Sequence, residues 1–220
     1  MGTDQLGRSM LSRLVYGARV SLAVALASVL VAGAVGVPFG LLGGYYGGML
    51  DAVLSRLADI QLAFPPVLLA LAIVASFGAS LINVILAIAV TSWVPYARVV
   101  RASTLSLRER EFVEAGRALG AQTLRILLLH VLPNILTPLI VIATLQIGRA
   151  IITESALSFL GLGVPPPAPS WGGMLAEARN YMFAAWWLPT LPGLLILLSV
   201  LSVNLIGDGL RWALDPKLRY

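Results

Sequence analysis

Cysteine is absent from the sequence, and lysine and histidine each occur once, as Lys217 and His130. Without thiols there is neither a disulfide nor a thiolate metal site, and cysteine usage says nothing about redox compartment. A lone histidine makes no metal centre by itself, so no metal ligands are assigned and ordinary hydrogen bonding is expected of His130. With Lys217 the only lysine, no G-x-x-x-x-G-K-[ST] loop exists to cradle the phosphates of a nucleotide. Charge is scarce too, at 11% of residues, where a soluble domain carries about a quarter. Scarce charge with 59% hydrophobic residues and a mean hydropathy of +0.91 excludes a water-soluble fold.

What is present is a series of long apolar runs without a linker between them. They predict an all-α fold, a polytopic transmembrane helical bundle forming one domain over residues 1–220 with its core at about 17–213. Residues 20–42 carry no charge and exceed the roughly 20 apolar residues that a helix needs to cross the hydrocarbon. That run is too long for the h-region of a signal peptide, and more spans follow it. Residues 61–97 are also uncharged, and Gly78 with Ser80 near their middle predicts two helices joined by a tight outer turn, with Pro65 and Pro66 kinking the first. Further spans are expected at about 132–160 and 188–206, for about five in all.

Arg98, Arg101, Arg108, Arg110, Arg117 and Arg125 crowd one connecting segment, and the positive-inside rule places it in the cytoplasm. Arg211, Lys217 and Arg219 then also fall inside, and the proline-rich loop at about 164–187 falls outside. The net charge of +5 is therefore a topology signal, with membrane lipids rather than nucleic acid as the expected surroundings. The N-terminal segment would lie outside bearing Arg8, Arg13 and Arg19, an unfavourable bias that leads us to expect a further helix before it.

Within the spans, Gly36, Gly40 and Gly44 have the spacing that lets helix backbones approach closely, read as packing in preference to a moving contact. For Arg149 and Glu154 two readings stand side by side, lining a water-filled path or snorkelling to headgroups at the outer interface. The cytoplasmic segment at about 105–132 reads as one or two short amphipathic helices, the first ended by Gly120. Such a helix either presents a ridge to a partner's groove or rests in the headgroups. In the outer loop Ser170 is an N-cap candidate for a short helix with Trp171, Met174 and Tyr181, read equally as a docking surface or an interfacial anchor.

The run Glu114-Ala115-Gly116, then Gly120, then Leu132-Pro133 resembles the "EAA" signature of permease subunits in ABC importers. Gly2-Thr3-Asp4, Ala63-Phe64-Pro65, Tyr96-Ala97-Arg98, His130-Val131-Leu132-Pro133-Asn134, the stretch from Glu154 to Gly163, Pro169-Ser170-Trp171-Gly172 and the stretch from Asn204 to Arg211 extend the resemblance over almost the whole chain. It is to the dipeptide, oligopeptide and nickel type. The resemblance implies a multi-pass protein of a bacterial or archaeal cell membrane, the inner membrane where there are two. It implies a coupling helix near residues 111–120, with Glu111, Glu114, Ala115, Gly116, Leu119 and Gly120 facing a cleft on an ATPase. Gly116 stands where the family has a second alanine, which loosens the helix by about 1 kcal/mol.

The partners implied are a second homologous permease, two cytoplasmic ATPases holding ATP and magnesium, and an external solute-binding protein. No cofactor is expected on this chain, and no catalytic residues. Arg149 and Glu154 are candidates for the pathway, and Trp171, Met174 and Tyr181 for docking of the binding protein. Peptides are favoured over nickel, since this chain offers no thiol and one histidine. The rivals are an ion-driven secondary transporter, which would more often show an inverted repeat or further intramembrane carboxylates, and a membrane-embedded enzyme, for which no nucleophile, base and orienting group gather.

Overall fold

A computed structural model describes residues 2–214, so that Lys217 and Arg219, expected in the cytoplasm, lie outside the described residues. The elements are α1 (Met10–Tyr46), α2 (Gly48–Leu62), α3 (Pro66–Phe77), α4 (Leu81–Leu107), α5 (Glu111–Ala118), α6 (Thr123–Ile126), α7 (Leu132–Asn134), α8 (Leu136–Phe159), α9 (Trp171–Ala178) and α10 (Trp187–Leu214). Among the described residues there is no strand, and the fold is all-α as expected.

Four helices, α1, α4, α8 and α10, are each long and apolar enough to cross a membrane. α2 and α3 meet at 86°, because Pro65 and Pro66 cannot continue a helix and Pro66 instead starts the next one. Neither piece alone reaches across about 30 Å of hydrocarbon. The expected kink is thus a full break. The turn after α3 falls where Gly78 and Ser80 placed it, and the Ser80 hydroxyl accepts from the Asn83 amide at 3.1 Å to cap α4.

The packing shows why the broken pair makes a crossing. Gly36, Gly40 and Gly44 of α1 meet α4 in ascending order, near Trp93 to Ala97, then Ala97 to Arg101, then Arg101 to Thr104, so α1 and α4 run parallel. A chain that runs two parallel helices must return between them, and only α2 and α3 lie between. The glycines are packing positions, since a β-carbon at Gly40 would lie 2.6 Å from the Ala97 carbonyl oxygen and 2.7 Å from the Val100 β-carbon. α8 is antiparallel to α1, with Ser21 against Glu154, and α10 is antiparallel to α8, with Gly207 against Thr144 and Gly148 against Asn204. Counting the bent pair as one gives five alternating spans.

The spans exceed their expected limits because helices continue past the hydrocarbon. α1 starts at Met10, and its N-terminal turns meet α9 and α10 in a cluster of Met10, Leu14, Trp171, Met174 and Leu188. The main core lies deeper, where Val24 and Val29 of α1, Val74 of α3, Ile88 of α4 and Ile151 and Leu157 of α8 are buried together. α8 begins at Leu136 rather than 132, after a π-turn (Leu127–Val131) in which the Leu132 amide donates to the Leu127 carbonyl. Pro133 has no amide with which to extend an α-helical ladder, and the Asn134 side chain donates instead to the His130 carbonyl at 2.6 Å.

Candidate functional site: the cytoplasmic coupling loop and the outer shelf

α5 begins with Glu111 and Glu114, whose charges suit a helix N-terminus, and ends with Arg117, which suits the other end. Gly120 terminates it as expected. Its φ is +75°, the Ala121 amide bonds the Gly116 carbonyl at 3.0 Å, and the Gly120 amide bonds the Arg117 carbonyl at 2.9 Å. These are the two bonds of a Schellman cap.

The helix has one anchored side and one free side. Val113 is fully buried against Leu41 of α1, Val100 of α4, and Ile126, Leu127, Val131 and Ile135. Arg117 donates to the Tyr45 hydroxyl at 3.0 Å while its guanidinium lies 4.8 Å from the Tyr45 ring centre, and Arg108 donates to the Gly44 carbonyl at 3.2 Å. Glu111, Phe112, Glu114, Ala115, Leu119 and Gly120 are exposed, Leu119 at 88%. Gly116 is half-buried, and its nearest neighbour is the Ile126 side chain of this same chain. On an eight-residue helix that also carries Phe112, an apolar side chain such as Val113 marks an anchor as readily as a ridge, and only the contacts separate the two. His130 is half-buried with Nδ1 unpartnered, so the expected hydrogen bond to its ring is not present at that atom.

At the opposite end Ser170 caps α9, its hydroxyl accepting from the Gly173 amide at 3.1 Å. Trp171 is 2% exposed and donates through Nε1 to the Leu14 carbonyl at 3.0 Å, and Met174 is buried beside it. This corrects the docking assignment of both residues, since interior side chains fasten α9 to α1 and cannot form a docking surface. Tyr181 alone of the three is exposed, followed by Met182, Phe183 at 99% and Trp186. Met182 and Phe183 are the members of this patch that the sequence reading did not single out, although the dense aromatic run after Asn180 was their signal.

Glu154 is fully buried and hydrogen-bonded on both oxygens, by the Ser158 hydroxyl at 2.8 Å and the Ser21 hydroxyl at 3.0 Å. Ser21 in turn accepts from the Trp171 amide at 3.1 Å. The carboxylate therefore ties α1, α8 and the start of α9 together, which is incompatible with snorkelling to headgroups. Arg149 is exposed on the α8 face that also bears Leu145 and Ile152, and among the described residues its side chain reaches only Gln146, at 3.4 Å. The structure does not bring Arg149 and Glu154 together.

Two of the N-terminal arginines are neutralised. Arg8 and Arg13 both pair with Asp4 and with Glu177 of α9, at 2.6 to 2.9 Å. Two of the three positive charges that looked unfavourable outside are thus matched by acids. Burial alone would raise the Asp4 carboxyl, but hydrogen bonds from Arg8 and from the Leu6 amide outweigh it and hold it below its ordinary value. A lowered carboxyl contributes stability that is complete above its unfolded pKa of about 3.9 and is lost as pH falls through the lower native value. The thermal stability of Asp4→Asn is therefore expected to fall below wild type at pH 6, with the gap narrowing on acidification toward pH 3. A gap independent of pH would refute the role given to Asp4.

A body of five crossings, with a half-anchored amphipathic helix at one end and a capped shelf helix at the other, defines a polytopic permease subunit. The family described as binding-protein-dependent transport system inner membrane component matches residues 36–220. The chain belongs to that family, and it is a multi-pass inner-membrane permease of the ABC importer kind. It is 53% identical over 219 residues to the di/tripeptide transport system permease protein DppC of Pseudomonas aeruginosa (strain UCBPP-PA14), covering 100% of this chain and 72% of that one. It is 48% identical to the dipeptide transport system permease protein DppC of Haemophilus influenzae, covering 100% and 74%, and 47% identical to the glutathione transport system permease protein GsiD of Pectobacterium atrosepticum, covering 100% and 73%. In fold it is similar to a chain of the MetNI methionine ABC transporter in an inward-facing conformation, with a TM-score of 0.74 at 21% identity over 94% of this chain and 98% of that chain.

Proposed function

We propose that this chain forms half of the translocation pathway of an ATP-driven importer for di- and oligopeptides, as a single permease domain beside a second, homologous subunit. Two cytoplasmic ATPases hold ATP and magnesium, and this chain holds no cofactor. The carrying observation is the two-sidedness of α5. Val113 fixes one side in the cluster shared by α1, α4 and the approach to α8, while Glu114, Ala115 and Leu119 remain open to an ATPase. A push on the open side is passed to two spans at once, as coupling requires.

The exposed patch of Tyr181, Met182, Phe183 and Trp186 is the docking surface for the solute-binding protein in this reading. Arg149 faces the pathway, because an ionised group on an exposed helix face within a span needs water or a partner. The choice of peptides follows the relatives, whose names carry dipeptides, tripeptides and glutathione.

Affinity purification of the detergent-solubilised chain, expressed with its genomic neighbours, tests the assembly. A second permease and ATPase subunits are expected by mass spectrometry. Recovery of the chain without a second permease or ATPase subunits would rule the importer assembly out.

A further inference from the structure

A cavity of about 440 Å³ opens between α1, α2 and α4, within the size range of small-molecule sites. Its wall carries Phe39 and Trp93, packed edge to face at 5.2 Å between ring centres, with Trp93 Nε1 donating to the Gln61 side chain. Two ion pairs lie along it. Arg101 binds Asp51 through two nitrogens, and the Asp51 side chain is only 17% exposed. Arg98 holds Asp59 by one bond at 2.8 Å, with the two side chains 57% and 55% exposed.

These pairs differ in what they can do. The Asp51 pair is bidentate and sheltered, which suits a fixed strut. The Asp59 pair is single and wet, and exposed pairs of that kind contribute little to stability, so either member exchanges its partner readily. A molecule bearing both an ammonium and a carboxylate can enter by giving its carboxylate to Arg98 and its ammonium to Asp59. An extended dipeptide reaches roughly 7 Å between its ends, so the long Arg98 side chain swings away from Asp59 to hold both.

Resting on the peptide-import reading above, we propose that this cavity is a binding site for the zwitterionic ends of a short peptide, with Arg98 and Asp59 as the exchangeable charges and the Phe39–Trp93 wall receiving a side chain. The free ends are what all short linear peptides share. A site that reads only them accepts many sequences, as a permease fed by a binding protein needs to.

The assembled complex in lipid nanodiscs, without its binding protein, is titrated by calorimetry with alanyl-phenylalanine and with the same peptide acetylated at one end and amidated at the other. The uncapped peptide is expected to bind at least about tenfold tighter, and Arg98→Gln and Asp59→Asn each to erase that ratio. Both side chains are exposed enough for the variants to keep the fold, which monodispersity and melting curves on the same samples will show.

Equal binding of capped and uncapped peptide, a ratio untouched by both variants, or no binding at all overturns the site. Binding seen only in nanodiscs lacking phosphatidylethanolamine assigns the cavity to a lipid headgroup and also overturns it. Uptake of alanyl-phenylalanine by cells carrying the wild-type transporter is measured in parallel. Uptake without discrimination in the cavity refutes this site alone, whereas absence of uptake refutes the peptide-import reading on which it rests.

Discussion

Gly40→Leu is expected to pull α1 away from α4 and abolish a stable permease. The first added carbon would already lie 2.6 Å from the Ala97 carbonyl oxygen, 2.7 Å from the Val100 β-carbon and 2.9 Å from the Arg101 amide nitrogen. Two of those three atoms are backbone, so no rotamer change makes room. Overpacking of this kind costs about 1–3 kcal/mol or more, a large share of a total stability of about 5–15 kcal/mol. Because Gly36 and Gly44 also meet α4 backbone within a turn on either side, the helix cannot tilt to relieve one contact without closing another. Gly33→Ala is the control, since its β-carbon would rest 3.7 Å from the Tyr96 ring, an ordinary contact. Size-exclusion profiles and melting curves of the purified complex separate the two variants. A Gly40→Leu protein that melts with wild type would remove the glycine stripe from the account of the fold.

The second large effect is functional. Gly120→Val is expected to leave assembly and basal ATP hydrolysis in place while lowering peptide uptake by at least about tenfold, an effect equivalent to about 1.4 kcal/mol. Gly120 has a φ of +75°, and an L-residue held there is strained by about 1–2 kcal/mol, more so when β-branched. No atom lies within 4 Å of the added β-carbon, so the damage is confined to the cap. Loss of the Schellman bonds frays the last turn of α5 and displaces Leu119, the residue most open to an ATPase. Gly116→Ala acts in the opposite direction. Its β-carbon would sit 3.9 Å from the Ile126 side chain, a normal contact, and replacing a helical glycine stabilises by roughly 0.5–1 kcal/mol. Uptake should survive that change. Full uptake by Gly120→Val would show that α5 does not transmit the ATPase movement.

Much of this was legible from one-dimensional patterns. Length without charge identified the spans, because lipid demands both. Ser80, Gly120 and Ser170 marked helix ends through local chemistry, which needs no partner in space. The break at Pro65 and Pro66 was foreseen in place and underestimated in size, since proline says that a ladder is interrupted and neighbouring helices decide the angle. The limits of α1 were placed ten residues late at its N-terminus because the charges of Arg13 and Arg19 look like an end to a hydropathy reading. In the folded chain Arg13 is instead matched by Asp4 and by Glu177, far away in sequence.

The site divided along the same line. The order of apolar runs and the resemblance carried by the signature from Glu114 to Pro133 determined, from the sequence alone, a multi-span permease with a short amphipathic helix ended by Gly120. Those features depend on composition or on residues within about 20 positions of each other. Which side of α5 faces inward, the burial of Trp171 and Met174, the enclosure of Glu154 by serines from two helices, and the cavity edged by Arg98 and Asp59 were decided only by tertiary structure. Each depends on groups that lie tens of residues or more apart along the chain, and their distances are set by how whole helices pack.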